Sequence, residues 1–214
     1  MPIKIPDGLP ARKTLQEEGV LLIKEERAIL QDIRPMRIAI VNLMPEKIKT
    51  ETQLARVLGS TPLQVEMTLI SMASHTPKNT SAQHLLDFYR PLNEIRDQKF
   101  DGLIVTGAPI EQLPFEDVIY WEELGEIFNW SLTHAHSNFN LCWGGQAALK
   151  HFYDIPKYQL PEKRFGQLSV KPVHNCDDLM TRNLRALSAD DSRYSAWDST
   201  LQRRSTSHGA MMMA

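Results

Sequence analysis

A strand-like run entering a cysteine, then two glycines, then helical spacing, marks the stretch Asn138–Leu149, NFNLCWGGQAAL. That order is the sequence form of a nucleophile elbow, where the nucleophile sits on a sharp strand-to-helix turn and small residues let strand and helix pass closely. Gly144 and Gly145 have no Cβ to collide at such a crossing. The start of the following helix would bring free N–H groups and partial positive charge to the sulfur of Cys142, surroundings that suit a reactive thiolate. Cys142 is therefore the expected nucleophile. The backbone N–H of Trp143, the next residue, is the expected first oxyanion donor. The competing reading of a free cysteine is a small buried hydrophobe; the strand before it and the helix after it favour the nucleophile.

A second candidate is Val105–Glu111, VTGAPIE. A Thr-Gly-Ala-Pro turn at a strand end frees backbone N–H groups toward the same sheet edge, and the peptide around Ile110 or Glu111 could supply a second oxyanion donor. From spacing alone, an ordinary strand-ending turn is the simpler reading. His134 and His136, two apart at a helix end, would need a third ligand to hold a metal. None is in view, so a solvated helix terminus is expected and no metal is assigned.

These residues need a scaffold, and the apolar periodicity supplies one. Strands are expected at Arg37–Asn42, Leu63–Ser71, Phe100–Thr106 and Asn138–Leu141, the first a β-branched run that suits burial on both faces. Helices are expected at Lys47–Leu58, closed by Gly59, and at Ser81–Tyr89, Tyr120–Thr133 and Gly144–Tyr153. Such alternation implies an α/β fold with a parallel sheet flanked by helices. Its ligands should sit beyond the carboxyl ends of the strands, where Asn42–Lys47, Gly107–Glu111 and Cys142 all fall. Residues 1–35 read as an N-terminal extension with one short helix near Lys13–Glu18. The signal weakens after Asp154, and residues 196–214 have no amphipathic period, as expected of an aberrant or disordered tail on a domain spanning 1–195.

Bulk properties narrow the setting. The chain has 214 residues, with 24 Lys and Arg against 26 Asp and Glu, a net charge of −2 that gives no pull toward nucleic acid or anionic lipid. No apolar run approaches the roughly 20 residues of a membrane span. The N-terminus has no apolar signal-peptide core. Cys142 and Cys176, far apart, form neither a disulfide framework nor a metal knuckle. A cytoplasmic location, where a lone thiol stays reduced, is expected.

Five stretches make a family recognisable: Ile33–Gln53, containing NLMP; Phe100–Glu111, containing TGAP; the CWGGQAAL elbow; Ile155–Lys163, IPKYQLPEK; and Asp191–Tyr194, DSRY. From its start to about Tyr194 the chain resembles the homoserine O-acyltransferases of methionine biosynthesis, which are built on a flavodoxin-like sheet of the class I glutamine amidotransferase type. The resemblance implies that Cys142 takes an acyl group from acyl-CoA and passes it to the γ-hydroxyl of L-homoserine. Both are small-molecule substrates and no resident cofactor is implied; a homodimer is left open. It further implies substrate contacts from Lys163 and Ser192, a lysine pairing with a carboxylate and a serine orienting a carbonyl or hydroxyl. Glutamate at position 111 resembles the acetyl-CoA users, whereas glycine there accompanies succinyl-CoA, because a carboxylate would repel the free carboxylate of a succinyl group.

The resemblance also sets up a departure. A thiol of this kind works with a histidine base held by a carboxylate. In the family these lie in a Gly-His-Pro-Glu segment downstream of DSRY, which this sequence does not contain, and Asp191 stands where histidine is common. The chain is therefore expected to be C-terminally truncated. Three alternatives remain open: a homoserine O-succinyltransferase, a glutamine-hydrolysing amidotransferase, and an inactive remnant without the triad's His and Glu.

Overall fold

The computed structural model describes residues 3–23, 34–74, 79–159 and 211–213. Its centre is a parallel sheet whose strands are β1 (Ile3–Lys4), β2 (Leu22–Ile23), β3 (Met36–Val41), β4 (Val65–Ser71), β5 (Tyr89–Pro91), β6 (Phe100–Val105), β7 (Ala135–Asn140) and β8 (Met211–Met213). They run in the order β2-β1-β4-β3-β6-β7-β8, with β5 also pairing with β4. Counted from β3, the run β4-β3-β6-β7-β8 has the 2-1-3-4-5 order of a doubly wound sheet of the flavodoxin kind. Every strand pair among the described residues is parallel.

Parallel strands need crossovers, and helices supply them: α1 (Ala11–Glu17), α2 (Lys47–Leu58), α3 (Ala82–Phe88), α4 (Leu92–Ile95), α5 (Trp121–His134) and α6 (Trp143–Tyr153). Alternation along β3 divides the core in two. Ile38 and Ile40 join Ala11 and Leu15 of α1, Ala55 of α2 and Met67 and Leu69 of β4. Ala39 and Val41 join Leu92 and Ile95 of α4, Leu124, Ile127 and Phe128 of α5, and Ala147 and Ala148 of α6. Both faces of the sheet are therefore covered, as a parallel sheet requires. No helix among the described residues is long and apolar enough to cross a membrane.

The expected central elements are present, with ends shifted by a few residues. Helix α2 has the expected bounds. Helix α3 starts after Ser81, whose hydroxyl accepts from the N–H of His84. The N-terminal segment, expected as an extension, instead enters the sheet through β1 and β2 and fully buries Ile3, Ile5, Leu9 and Leu15. Two-residue strands leave too little alternation to be read from sequence. The same applies to β5 and α4, which are three and four residues long. Strand β7 begins at Ala135, three residues before the expected Asn138; His136 and Ser137 are polar and give no strand signal. Strand β8 lies within the stretch read as lacking any period; its backbone pairs with Asn138, Phe139 and Asn140 of β7.

Candidate active site

Three adjacent strands, β3, β6 and β7, end side by side, and the loops that leave them build the site. The elbow is the tightest part. Leu141 N–H still donates to Val105 O at 2.8 Å, so the strand pairing runs to the residue before the cysteine. Cys142 then takes φ 52° and ψ −121°, a backbone conformation that costs a non-glycine residue about 1–3 kcal/mol. Gly144 N–H donates to Leu141 O at 2.9 Å, and Gly145 and Gln146 N–H donate to Cys142 O at 3.0 and 3.2 Å, turning the chain into α6 at once.

This turn is possible only because two glycines bring backbones together. A Cβ on Gly144 would lie 2.6 Å from Thr106 O and 2.9 Å from Val105 O, both backbone atoms that cannot swing away. A Cβ on Gly107 would lie 3.0 Å from Cys142 Cβ and 3.4 Å from its Sγ. Position 107, in the Thr-Gly-Ala-Pro turn, is thus the floor on which the cysteine rests. Cys142 is exposed and unpaired. Trp143 is the opposite: its indole is fully buried, packed edge-on to Tyr120 with ring centroids 6.2 Å apart and against Phe115 at 6.0 Å. Its backbone N–H, the first of α6, takes no backbone acceptor among the described residues. Ile110 N–H, the other expected donor, is turned to Ala108 O at 2.8 Å in this structure. Glu111, half-buried, lies four residues beyond Gly107 on the same loop.

The β3 and β6 loops are laced together. Thr106 N–H donates to Val41 O at 3.0 Å, and Leu43 N–H donates to Thr106 Oγ1 at 2.8 Å. Asn42 Oδ1 accepts from Met44 N–H at 3.2 Å, bending the Asn-Leu-Met-Pro segment back on itself. Behind it sits a buried polar cluster. Lys47 Nζ donates to Asn42 O, and Asn42 Nδ2 donates to Tyr89 Oη at 3.0 Å. Tyr89 Oη donates to Glu51 at 2.5 Å, and His84 Nε2 donates to the two oxygens of the same carboxylate at 3.0 and 3.2 Å. Glu51 is fully buried, and Asn42, Lys47, His84 and Tyr89 are each less than a tenth exposed. Burial lowers the Lys47 pKa to about 8, against the raising influence of Glu51. Burial, with the adjoining Glu51 charge and hydrogen bond, pushes the Tyr89 phenol well above its ordinary value.

Sequence reasoning singled out Asn42–Lys47 but missed Glu51, His84 and Tyr89. A signal was present: Lys47 and Glu51 share the stripe of α2 that continues through buried Ala55, so two charges occupy core-facing positions. Lys163, Ser192, Asp191 and Cys176 lie outside the described residues, as do His75, His174 and His208. Of the remaining histidines, His134 stacks on Trp130 with ring centroids 5.4 Å apart, and His151 pairs with Asn129 at 3.0 Å. Among the described residues, no histidine is hydrogen-bonded to Cys142. No cluster of metal-ligating side chains occurs among them either.

A parallel α/β sheet with a strained cysteine at a strand-to-helix turn has the backbone geometry of a nucleophile elbow. Residues 2–208 match the homoserine O-succinyltransferase family, and the chain belongs to it. It is 61% identical over 166 residues to a homoserine O-acetyltransferase of Hyphomonas neptunium, covering 78% of this chain and 54% of that one. It is 58% identical over 166 residues to one of Rhizorhabdus wittichii, covering 78% and 52%, and 54% identical over 176 residues to one of Brucella canis, covering 81% and 58%. The chain thus spans little more than half the length of these curated relatives.

Two outcomes follow from the geometry. Cys142→Gly is expected to be more stable than Cys142→Ala by about 1–2 kcal/mol in urea unfolding, since only glycine relieves the positive φ; equal stability would mean that the turn is unstrained. For Lys47, the unfolded chain holds a proton between pH 8 and 10.5 that the folded chain has lost, so this group adds stability as pH rises through that window. The stability of the wild type minus that of Lys47→Met should therefore increase by roughly 2 kcal/mol from pH 8 to pH 10. A flat difference would contradict a lysine buried at this cost.

Proposed function

We propose that this chain carries the acyl-transfer centre of a homoserine O-acetyltransferase, with Cys142 as the nucleophile. The observation that carries the proposal is the exposed Cys142 at φ 52°, seated on Gly107 and followed at once by α6. The thiolate attacks the carbonyl carbon of acetyl-CoA, the carbon–sulfur bond to CoA breaks, and CoA leaves as its thiolate, which takes up a proton. Exchange of one thioester for another is nearly balanced, which makes a thiol a better first acceptor than a hydroxyl. The γ-hydroxyl of L-homoserine then attacks the acetyl-cysteine and gives up its proton. The ester O-acetyl-L-homoserine departs and Cys142 is restored. Trp143 N–H, which takes no backbone acceptor among the described residues, is the proposed donor to the oxyanion of both addition steps. Ile110 N–H could join it only by leaving Ala108 O.

Acetyl as the acyl group rests on Glu111 and on the names of the relatives, all homoserine O-acetyltransferases. A carboxylate near the acyl pocket disfavours a donor that carries its own free carboxylate. The description of the matched family, homoserine O-succinyltransferase, keeps succinyl-CoA as the second reading. Lys163 and Ser192 are proposed to contact substrate, as in the family. No resident cofactor is called for, because acyl-CoA enters as a substrate. A cytoplasmic setting, which keeps the thiol reduced, is part of the same proposal.

With both donors present, the wild type should form O-acetylhomoserine in preference to the succinyl ester, and Cys142→Ser should form neither. Glu111→Gly should move the acetyl-to-succinyl product ratio toward succinyl by about tenfold, the size of a single removed charge repulsion near 1.4 kcal/mol. An unchanged ratio would remove Glu111 from donor choice. Product formed undiminished by Cys142→Ser would remove the cysteine.

A further inference from the structure

Past the end of α6 the chain turns back toward the β6 loop and delivers one lysine to it. Lys157 Nζ donates to Glu111 O at 2.8 Å and also to Leu113 O, so two carbonyls of one loop converge on a single ammonium. The same ammonium stands 4.6 Å from the centre of the Phe115 ring. Phe115 is buried and packs on Trp121 at 5.1 Å and on Trp143 at 6.0 Å, and Trp143 is the residue after Cys142. A continuous set of contacts therefore runs from Lys157 through the 111–115 loop to the elbow. The loop's internal bonds, Ile110 N–H to Ala108 O at 2.8 Å and Leu113 N–H to Ile110 O at 3.0 Å, shape its turns but do not attach it to α6 or the elbow. Lys157 is half-buried, and burial lowers its pKa while the charges of Glu111 and Glu116 oppose that shift.

We infer that Lys157 is a positioning residue for donor choice: by clamping the carbonyls of Glu111 and Leu113 over Phe115, it fixes the direction in which Glu111 presents its carboxylate to the thiol of Cys142. Lys157 itself touches neither thiol nor acyl group in this scheme. The inference rests on the reading of Glu111 given above, and goes beyond it by naming the group that holds the selector in place. Removing the clamp lets the loop move, and a carboxylate that samples many directions repels an incoming anion less than a fixed one.

The test uses the thiol directly and needs no acyl transfer. Cys142 in the intact chain is alkylated with iodoacetamide, which is neutral, or with iodoacetate, whose carboxylate stands in for that of a succinyl group. Peptide mass mapping separates Cys142 from Cys176. The wild type should favour the neutral reagent, and Glu111→Gly should reduce that preference by about threefold to fivefold, as loss of one nearby charge requires. Lys157→Met should reduce it in the same direction, and should add nothing in the Glu111→Gly background. Lys157→Arg should retain at least half of the wild-type preference. The direction is diagnostic, because losing a cation by itself would make the anionic reagent slower and raise the preference.

A shift with Glu111→Gly but none, or a rise, with Lys157→Met overturns the clamp and leaves the Glu111 reading standing. No shift with Glu111→Gly overturns both. Should Lys157→Met fail to fold, Lys157→Gln, which keeps a shorter neutral donor, takes its place with the same expected direction.

Discussion

One close approach between backbones sets the site, and the rest of the arrangement depends on it. Gly144 brings the first turn of α6 against the carbonyl oxygens of Val105 and Thr106, where any Cβ would collide. That approach leaves one residue, Cys142, to reverse the chain between strand and helix, and it does so only by accepting a positive φ. The strain has a use. A cysteine in ordinary helical or extended backbone would continue the strand or join the helix, with its side chain against a neighbour. Here the sulfur projects from the sheet edge onto Gly107, exposed to an incoming reagent. The buried indole of Trp143 meanwhile secures the turn in the core between Phe115 and Tyr120.

A second constraint acts behind the loops. The cluster of Asn42, Lys47, Glu51, His84 and Tyr89 puts charged groups where apolar ones would be cheaper to bury. Its hydrogen bonds run from α2 to α3 and β5, and through Asn42 to the start of the Asn-Leu-Met-Pro segment. That segment in turn bonds to Thr106, and the next residue, Gly107, lies under the cysteine. A polar network of this kind is worth less as stability than as register: each member has an orientation fixed by its partners, which an apolar cluster of equal volume would leave open. The loops of three strands are thereby held in one relation to one another.

Much of this was legible from sequence, for reasons that differ from part to part. The β3 and β6 strands were readable because each closes on a buried apolar run, Ile38–Val41 and Leu103–Val105, and α2 because a full twelve-residue period lies between clear ends. The elbow was readable because cysteine, glycine and helical spacing occur together within five residues. What escaped was short or polar. Strands of two residues carry no period, so the burial of Ile3 and Ile5 beside β4 follows only from the assembled sheet. The buried cluster escaped because a lysine and a glutamate on a helix read as solvated until their stripe is seen to face the core. Lys157 escaped because its partners are carbonyl oxygens, which leave no trace in residue type. Family membership reached further than periodicity could: it suggested the reaction proposed for the elbow, though over little more than half the length of the relatives matched.

The central claim is that this chain builds a thiol able to accept an acyl group. Its most direct test is the mass of the intact protein after brief incubation with acetyl-CoA and no homoserine. The account predicts one acetyl adduct, carried by the peptide containing Cys142, released by hydroxylamine as a thioester must be, and absent from Cys142→Ser. A folded chain that gains no mass, or an adduct that persists in Cys142→Ser, would contradict it.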